Sequence, residues 1–241
     1  MYYTDIHSHL LFGVDDGAKT EEEMFALLEA LYAEGVRTLC ATPHFHPLRY
    51  GHTVPRAERA FALLSDYVRE KHPDMSLHLG CELGYYADCR AAVDRKECPL
   101  LGGKYLLMDF HADASAFQIQ YAMEEMLSAG YRVILAHVER YSALDGKEGL
   151  SMLMDWESRG ARFQVNASAF SRKASFRTKR QVKRLMREEL VHVVASDTHD
   201  LLVRRPMLAE AEREITDRYG KEIAELLLSR LPGRILAGDT I

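Results

Sequence analysis

Histidine and acidic residues crowd the start of this chain, directly after a short apolar segment. The stretch DIHSHLLFGVDDG, residues 5–17, contains His7, His9 and Asp16. Because one residue separates His7 from His9, both imidazoles project to the same side of an extended segment. Imidazole nitrogens and carboxylate oxygens are typical ligands of manganese, iron and zinc. The spacing and the residue types therefore indicate a metal site.

The same residue types recur along the chain after short apolar runs, in ATPHFHP, GCELG, MDFH, AHVERY and ASDTHD. One histidine after a strand is usually a cap or a satisfied polar group, but six strand ends of one chemistry are not independent coincidences. The metal-capable residues are His7, His9, Asp16, His44, His46, Glu82, Asp109, His111, His137, Glu139, Asp197 and His199. Eight or nine ligands are too many for one ion, so we expect two or three ions with Glu82 as a bridge.

Four other histidines lack acidic neighbours at a strand end and are interpreted as structural. They are His52, His72, His78 and His192. Cys81 is the one cysteine near a candidate ligand, and the neighbouring Glu82 is the better candidate. The near absence of thiolates argues against a structural zinc site.

The elements that must position these side chains are predicted from apolar runs that alternate with helical patterns. Seven short runs are typical of strands buried on both faces, at residues 2–6, 37–42, 76–81, 105–110, 132–136, 162–165 and 192–196. Helices are predicted at residues 20–34, 56–71, 115–129, 147–159, 178–189 and 208–230. The first helix begins with a capping box, Thr20 and Glu23, and ends at Gly35.

Strands that alternate with helices indicate an α/β fold with a parallel sheet. At 241 residues a barrel is the expected closure, and we expect one domain over residues 1–241. An open doubly wound sheet is the alternative, although no G-x-G-x-x-G loop follows the first strand. Parallel barrels assemble active sites at the C-terminal ends of their strands, so we expect the candidate ligands to converge there.

Composition excludes several other classes of protein. The net charge of -5 gives no reason to expect binding to nucleic acid or to anionic lipid. No apolar segment approaches the roughly 20 residues of a membrane span, and no signal peptide is evident. The four cysteines are too sparse for a disulfide framework. We therefore expect a cytoplasmic protein without stable membrane insertion.

The motifs DIHSH, DDG, TPH, CE, AHVERY and VHVVASDTH resemble the polymerase-and-histidinol-phosphatase (PHP) superfamily. They look most like its bacterial manganese-dependent protein-tyrosine phosphatase branch, encoded with capsule and exopolysaccharide genes. The match keeps the order of the motifs and spans nearly the whole chain. The resemblance implies a distorted TIM-like (β/α)7 barrel of the PHP type with up to three ions, Mn²⁺ in the first place and Fe or Zn as alternatives.

The resemblance also implies a role for individual residues. The first ion would be held by His7, His9, Glu82 and Asp197, the second by Glu82, Asp109 and His137, and the third by Asp16, His44 and His199. The family commonly has glutamate where this chain has Asp109, which is one methylene shorter. Arg140, with Arg204 or Arg205, matches the arginines expected to bind the substrate phosphate.

These residues predict hydrolysis of a phosphate monoester. Clustered metal ions activate water and clamp phosphoryl oxygens, and Arg140 and Arg204 would donate to the remaining oxygens. A tyrosine phenol, with a pKa of about 10, leaves with less protonation than an alcohol, which favours phosphotyrosine. The resemblance implies that the substrate is the tail of a bacterial tyrosine autokinase that regulates capsule synthesis. The alternatives are a small-molecule phosphatase of the histidinol-phosphatase type and a non-catalytic or nuclease-linked domain like those attached to DNA polymerases.

Two further segments carry competing interpretations. CRAAVDR, from Cys89 to Arg95, has the spacing of cysteine-dependent tyrosine phosphatases, but it lacks the glycines of a phosphate loop and is predicted as helix. The segment 171–187 holds eight basic residues, and Lys179, Lys183 and Arg187 form one helical stripe. This stripe is interpreted as a solvated face, with docking of an acidic or multiply phosphorylated tail as the alternative.

Overall fold

A computed structural model describes residues 1–241, in which nine short strands alternate with helices. The strands are β1 (Tyr3–Asp5), β2 (Val36–Ala41), β3 (His44–Phe45), β4 (Ser76–Leu79), β5 (Glu82–Gly84), β6 (Tyr105–Asp109), β7 (Arg132–Leu135), β8 (Arg162–Asn166) and β9 (Val193–Ala195). The seven predicted strands are confirmed, with ends that differ by at most two residues. The sequence did not predict β3 and β5, because two or three residues give no periodicity.

The helices cover most of the segments between the strands. They are α1 (Glu21–Glu34), α2 (Pro47–Tyr50), α3 (Val54–Lys71), α4 (Cys89–Asp94), α5 (Ala116–Ser128), α6 (Gly146–Ser158), α7 (Phe176–Arg187), α8 (Leu208–Tyr219), α9 (Lys221–Glu225) and α10 (Leu231–Leu236). The prediction of one helix over 208–230 was wrong, because Gly220 has a φ of 94° and interrupts it. None of these helices combines the length and the apolar composition that a membrane crossing requires.

All strand pairs are parallel, as predicted, but the strands divide into two sheets. One sheet has the order β1-β2-β4 and the other β3-β5-β6-β7-β8-β9. The sheets meet where β1 and β9 end: the Asp197 N–H donates to His7 O at 2.9 Å, and the His9 N–H donates to Thr198 O at 2.8 Å. These two bonds bring the segments after β1 and β9 side by side.

Apolar side chains form two clusters on opposite faces of the strands. Along β6, Leu107 belongs to a cluster of 11 buried residues, whereas Leu106 and Met108 belong to a cluster of 56 that includes helix residues. Successive side chains of a strand point to opposite faces, so this alternation shows strands that are covered on both sides. The smaller cluster also contains Ile235 and Leu236 of α10. The sheets therefore curl around a small inner core to which α10 contributes, and the helices of the larger cluster pack on the outer face.

Cys81 and Cys98 form a disulfide, with their Cα atoms 6.5 Å apart. The sequence predicted no disulfide framework, and this bridge corrects that prediction for one pair. The two cysteines are 17 positions apart, and only the return of the chain after α4 brings them together. Cys40 and Cys89 are free thiols, and both are buried.

Candidate metal centre

The nine residues that the resemblance assigns to metal binding lie together at one edge of the sheets, where β1, β2, β4, β6, β7 and β9 end; His44 and Glu82 follow β2 and β4 and are the first residues of β3 and β5. They are His7 and His9 after β1, Asp16 before α1, His44 in β3, Glu82 in β5, Asp109 in β6, His137 after β7, and Asp197 and His199 after β9. Six of them are buried, His44 and Asp109 are half-buried, and Asp16 is exposed. The strands run in one direction, and their ends therefore deliver these side chains to one edge.

Glu82 lies at the middle of the first group of side chains. His7 Nε2 is 3.2 Å from Glu82 Oε1, and His9 Nε2 is 3.2 Å from Glu82 Oε2. The two Nε2 atoms are 3.1 Å apart. Asp197 Oδ1 lies 3.5 Å from His7 Nε2 and 3.6 Å from His9 Nε2. Four donors thus face one point in a buried space.

Glu82 also faces a second group on its other side. His137 Nε2 lies 3.0 Å from Glu82 Oε1 and 3.4 Å from Asp109 Oδ1. Asp109 therefore reaches the centre although it is one methylene shorter than glutamate. His44 Nδ1 lies 2.9 Å from the other oxygen of Glu82, so that Glu82 contacts residues of every group.

The third group surrounds the Asp16 carboxylate. Asp16 Oδ1 is 3.4 Å from His44 Nε2 and 3.5 Å from His199 Nε2. The neighbouring Gly17 lets this loop approach, because a Cβ there would lie 1.7 Å from His9 O. This group is more open to solvent than the other two, since the Asp16 side chain is 41% exposed.

Four imidazoles direct Nδ1 away from the centre and towards a hydrogen-bond acceptor. The pairs are His7 with Gln164 Oε1 at 3.1 Å, His9 with Asp15 Oδ2 at 2.8 Å, His137 with Tyr141 Oη at 3.2 Å and His199 with Asp197 O at 3.0 Å. With a metal ion bound, these acceptors would hold the proton on Nδ1 and leave the Nε2 lone pair to the ion. The Nε2 atoms face carboxylate oxygens, an arrangement that a cation between them stabilises.

Buried polar atoms without partners support the same interpretation. Glu82 Oε2 and His199 Nε2 are buried and have no hydrogen bond of suitable geometry. Such atoms are costly unless a partner binds them. The donor set of imidazole and carboxylate fits manganese, iron or zinc.

Most carboxylates in and beside the centre have a lowered pKa, although burial opposes their ionisation. Burial by itself would raise the pKa of Glu82, but the His7 and His44 rings hold it well below its usual value. Burial opposes the ionisation of Asp15 in the same way, and the His9 ring lowers its pKa to about 2. Asp109 differs, because burial and the neighbouring Glu82 carboxylate raise its pKa. Burial also opposes the ionisation of Asp16 and Asp197, but the neighbouring His199 and His7 rings lower their pKa values, so Glu82, Asp16 and Asp197 share the negative charge.

Two residues of the centre have a strained backbone. His137 and Asp197 have φ angles of 33° and 51°, in the left-handed region that non-glycine residues rarely adopt. Gln164 Oε1 accepts the His137 N–H at 2.8 Å, and His7 O accepts the Asp197 N–H at 2.9 Å. Strain of this kind persists where surrounding bonds enforce it, and it clusters at functional sites.

The sequence missed the residues that hold the ligands in place. Gln164 binds His7 and His137 as described above, and Asn166 Nδ2 donates to Asp197 Oδ2 at 2.7 Å. Tyr141 Oη donates to Asp109 Oδ1 at 3.1 Å. The available signal was the pair of polar residues, Gln164 and Asn166, which alternate with Phe163 and Val165 on β8.

The structure separates the two adjacent arginines. Arg204 Nη2 lies 2.9 Å from both carboxylate oxygens of Asp197, whereas Arg205 lies 3.7 Å from Glu210. Arg140 Nη1 lies 3.6 Å from Asp197 Oδ2. Arg204 and Arg140 therefore both flank the carboxylate of Asp197, and Arg205 turns away from it.

A cavity of about 500 Å³ opens beside Asp197. Its wall includes Arg140, Lys173 and Arg204 together with Leu202 and Val203. The last two side chains are 86% and 85% exposed, so the rim is apolar and accessible. Arg205 also lines the cavity, so an anionic group bound there would meet four positive charges next to the metal-binding residues.

Other candidate residues lie outside the centre. The His111 ring is 75% exposed and pairs with Asp113, and His46 belongs to none of the three donor groups. Cys89 is buried in α4, and the exposed Arg95 pairs with Glu97 at 2.7 Å. The prediction that Cys89 lies in a helix rather than in a phosphate loop is confirmed.

Comparisons with known proteins agree with this geometry. The family model described as capsular polysaccharide synthesis, CpsB/CapC, matches residues 3–237. The tyrosine-protein phosphatase CpsB of Streptococcus pneumoniae is 32% identical, over 98% of this chain and 99% of its own length.

Solved structures show the same fold. A structure from the study of YwqE from Bacillus subtilis and CpsB from S. pneumoniae, described as metal-dependent tyrosine phosphatases, matches with a TM-score of 0.87 at 24% identity, over 99% of this chain and 96% of that one. Histidinol phosphate phosphatase from Lactococcus lactis matches with a TM-score of 0.60 at 13% identity, over 95% and 97%. The family resemblance of the motifs is thereby confirmed. The chain belongs to the CpsB/CapC family of capsular polysaccharide synthesis.

Proposed function

We propose that this chain is a metal-dependent protein-tyrosine phosphatase that acts on phosphotyrosine proteins in capsule synthesis. The observation that carries the proposal is the orientation of four imidazoles, whose Nε2 atoms face carboxylates beside a cavity with two inward arginines. The activity of the relatives, which are tyrosine-protein phosphatases by name, supports the substrate class.

The proposed metal ligands are the nine residues of the centre, in the grouping that the resemblance implies. Donor atoms within 4.8 Å of one another form the groups His7, His9 and Glu82; His44, Glu82 and Asp109; and His9, Asp16, His44 and His199. These groups contain seven of the nine residues; Asp197 is included for its distances of 3.5 and 3.6 Å to His7 and His9, and His137 for its distances of 3.0 and 3.4 Å to Glu82 and Asp109. We propose Mn²⁺ as the ion, with Fe or Zn as alternatives that the same donor types accept. Glu82, which contacts members of each group, is the proposed bridge.

When bound, the metal ions would supply a Lewis acid for the phosphoryl oxygens and a nucleophile from water at neutral pH. The residues of the chain do the rest. Arg140 and Arg204 donate to phosphoryl oxygens that approach Asp197, where charge grows in the transition state. Gln164, Asp15 and Tyr141 keep the proton on Nδ1 of the ligand imidazoles. A phenol leaving group needs little protonation, and no phosphoenzyme is required.

The cavity favours a protein substrate. Its rim residues Leu202 and Val203 are almost fully exposed, so a polypeptide can reach Arg140 and Arg204 from the surface. We further propose that the phosphotyrosine is carried by the tail of a bacterial tyrosine autokinase, as the motif resemblance implies. Sites that bind small metabolites are typically more enclosed, because they bury most of the ligand surface.

We also propose that residues 1–241 form one PHP-type distorted barrel. The support is the pair of backbone hydrogen bonds between the segments that follow β1 and β9, and the isolated parallel bridge from Ser8 to Thr198. The structural similarity to histidinol phosphate phosphatase, with a TM-score of 0.60, points in the same direction.

The substrate class is tested with purified, metal-loaded protein. We expect a phosphotyrosine peptide to be hydrolysed with a much higher kcat/KM than histidinol phosphate, because the cavity is open. Exhaustive chelation should abolish the activity, and Mn²⁺ should restore it. Full activity after chelation would contradict the metal mechanism, and a preference for histidinol phosphate would favour the small-molecule alternative.

Three single variants distinguish metal from cysteine chemistry. Cys89→Ser should leave turnover nearly intact, because burial raises the pKa of this thiol and α4 keeps it away from the centre. His137→Ala and Glu82→Gln should each lower kcat by orders of magnitude and lower the metal content measured by mass spectrometry. A folded, fully metallated Cys89→Ser protein without activity would overturn the assignment.

A further inference from the structure

A second, smaller cavity of about 120 Å³ lies between α7 and α8. Its wall takes Lys179 and Lys183 from α7, Arg218 from α8, and Arg172 from the segment after β8. Val182 and Tyr219 form part of the apolar wall. We call this cavity the basic pocket, after Arg172, Lys179, Lys183 and Arg218.

The charge of the basic pocket is only partly compensated. Glu214 also lines it and forms an ion pair with Arg218. Lys179 Nζ donates to the carbonyl oxygen of Arg172 at 2.6 Å, and neither Arg172 nor Lys183 takes part in an ion pair. Three positive charges therefore remain for an anionic ligand.

The basic pocket adjoins the cavity beside Asp197. Ala169 and Ser171 line both cavities, and Lys173 continues the positive surface into the larger one. A polypeptide with one phosphate beside Asp197 can therefore place a second anionic group in the basic pocket. The adjacency distinguishes this pocket from an isolated basic patch on the surface.

The tertiary structure also corrects the helical stripe of the sequence. Arg187 does not line the pocket and instead pairs with Glu188. Lys179 and Lys183 remain, and Arg172 and Arg218 join them from other elements. Cations from three segments that converge on one concave site are more specific than a row along one helix.

We propose that the basic pocket binds a second phosphate group on the same polypeptide as the phosphotyrosine that is hydrolysed. The proposal rests on the phosphatase function proposed above. Lysine and arginine are the side chains that bind phosphate, and the volume accepts one phosphoryl group. Once the first phosphate is bound, the second binds intramolecularly, which raises affinity without a new contact at the catalytic centre.

The test compares three substrates: a peptide with two phosphotyrosines, the same peptide with one replaced by phenylalanine, and a small aryl phosphate. For Lys179→Gln/Lys183→Gln we expect KM for the doubly phosphorylated peptide to rise about tenfold, with kcat unchanged. KM for the other two substrates should change little. High salt should remove most of the advantage of the doubly phosphorylated peptide in the unsubstituted protein.

The matched control is Arg180→Gln/Arg187→Gln. It removes the same charge from exposed positions of the same helix that do not line the pocket. It should leave the preference for the doubly phosphorylated peptide unchanged. An equal loss in this control, or an equal rise in KM for all three substrates, would overturn the proposal.

A binding measurement separates this proposal from the phosphatase function. Fluorescence anisotropy of the labelled, doubly phosphorylated peptide should show about tenfold weaker binding to the Lys179→Gln/Lys183→Gln protein than to the unsubstituted protein. If the metal-loaded protein hydrolysed no peptide, the phosphatase function would fail, and the anisotropy would still decide on the pocket. Equal affinities of the two proteins would reject it.

Discussion

The ligand imidazoles depend on hydrogen bonds made by the ring nitrogen that points away from Glu82. Tyr141 is an example of such a partner. Its hydroxyl accepts the Phe110 N–H at 3.1 Å and lies 3.2 Å from His137 Nδ1. The same hydroxyl donates to Asp109 Oδ1 at 3.1 Å. One buried oxygen thus orients two proposed ligands. Groups that orient ligands in this way commonly change metal affinity or activity by about 10–100-fold when they are removed.

Tyr141→Phe is predicted to weaken the metal centre and the fold together. The Phe110 N–H would lose its acceptor in the buried interior, which costs about 1–3 kcal/mol in the free energy of unfolding. Asp109 and His137 would lose their common partner, so metal content and kcat should also fall. Denaturation measures the change in unfolding free energy, metal analysis the metal content, and kinetics the change in kcat.

Tyr131→Phe, which removes a hydroxyl bound to the exposed Asp94, is the control. Unchanged metal content in a folded Tyr141→Phe protein would limit Tyr141 to a structural role.

At the scale of elements, the loop after β9 holds Arg204 towards the centre. The Asp200 carboxylate accepts the N–H groups of Leu202 and Val203, both at 2.6 Å, and that of Arg204 at 3.2 Å. The backbone of Arg204 also accepts the His199 N–H at 2.9 Å. One side chain therefore shapes a turn that exposes two apolar residues and directs the following arginine inward.

Asp200→Ala is predicted to lower kcat/KM for a phosphotyrosine peptide by about tenfold, because a loosened Arg204 is less well positioned for the phosphoryl group. The metal content should stay the same, since Asp200 is not a proposed ligand. Asp200→Asn, whose Oδ1 can still accept the two shorter bonds, should retain most of the activity. Kinetics and metal analysis of both variants check this. Equal activity of Asp200→Ala and the unsubstituted protein would show that the turn does not position Arg204.

At the scale of the whole molecule, the half-buried His192, far from the centre, links stability to pH. His192 directly precedes β9, and its Nδ1 atom accepts the Phe163 N–H at 3.1 Å. Burial, together with the nearby Arg162, lowers the pKa of His192 to about 3. The unfolded chain takes up this proton near pH 6.5, whereas the folded chain does so only near pH 3. His192 therefore favours folding above about pH 6.5, and this contribution is lost as the pH falls towards 3.

His192→Gln is predicted to reduce the dependence of the unfolding free energy on pH below about pH 6.5. Between pH 7 and pH 5 the unsubstituted protein should lose about 2 kcal/mol more unfolding free energy than the variant, at about 1.4 kcal/mol per pH unit below 6.5. Urea denaturation at a series of pH values measures the difference. His52→Gln, at an exposed position, should leave the profile unchanged. Parallel profiles for His192→Gln and the unsubstituted protein would refute the linkage.

The sequence by itself determined the strands, most helices and the residue types of the metal centre. Apolar runs and capping residues such as Thr20 influence the backbone only within a few positions along the chain. The elements that they form can therefore be predicted without knowledge of tertiary contacts. The convergence of the candidate ligands was also predictable, because the ends of parallel strands share one edge.

Only the tertiary structure decided how those parts meet. The bond from His7 to Gln164 joins residues 157 positions apart, and nothing near either residue predicts it. The same holds for the orientation of Arg204 rather than Arg205, for the Cys81–Cys98 bridge and for the division of the strands into two sheets. Each of these depends on packing between distant segments, and local propensity carries no information about such packing.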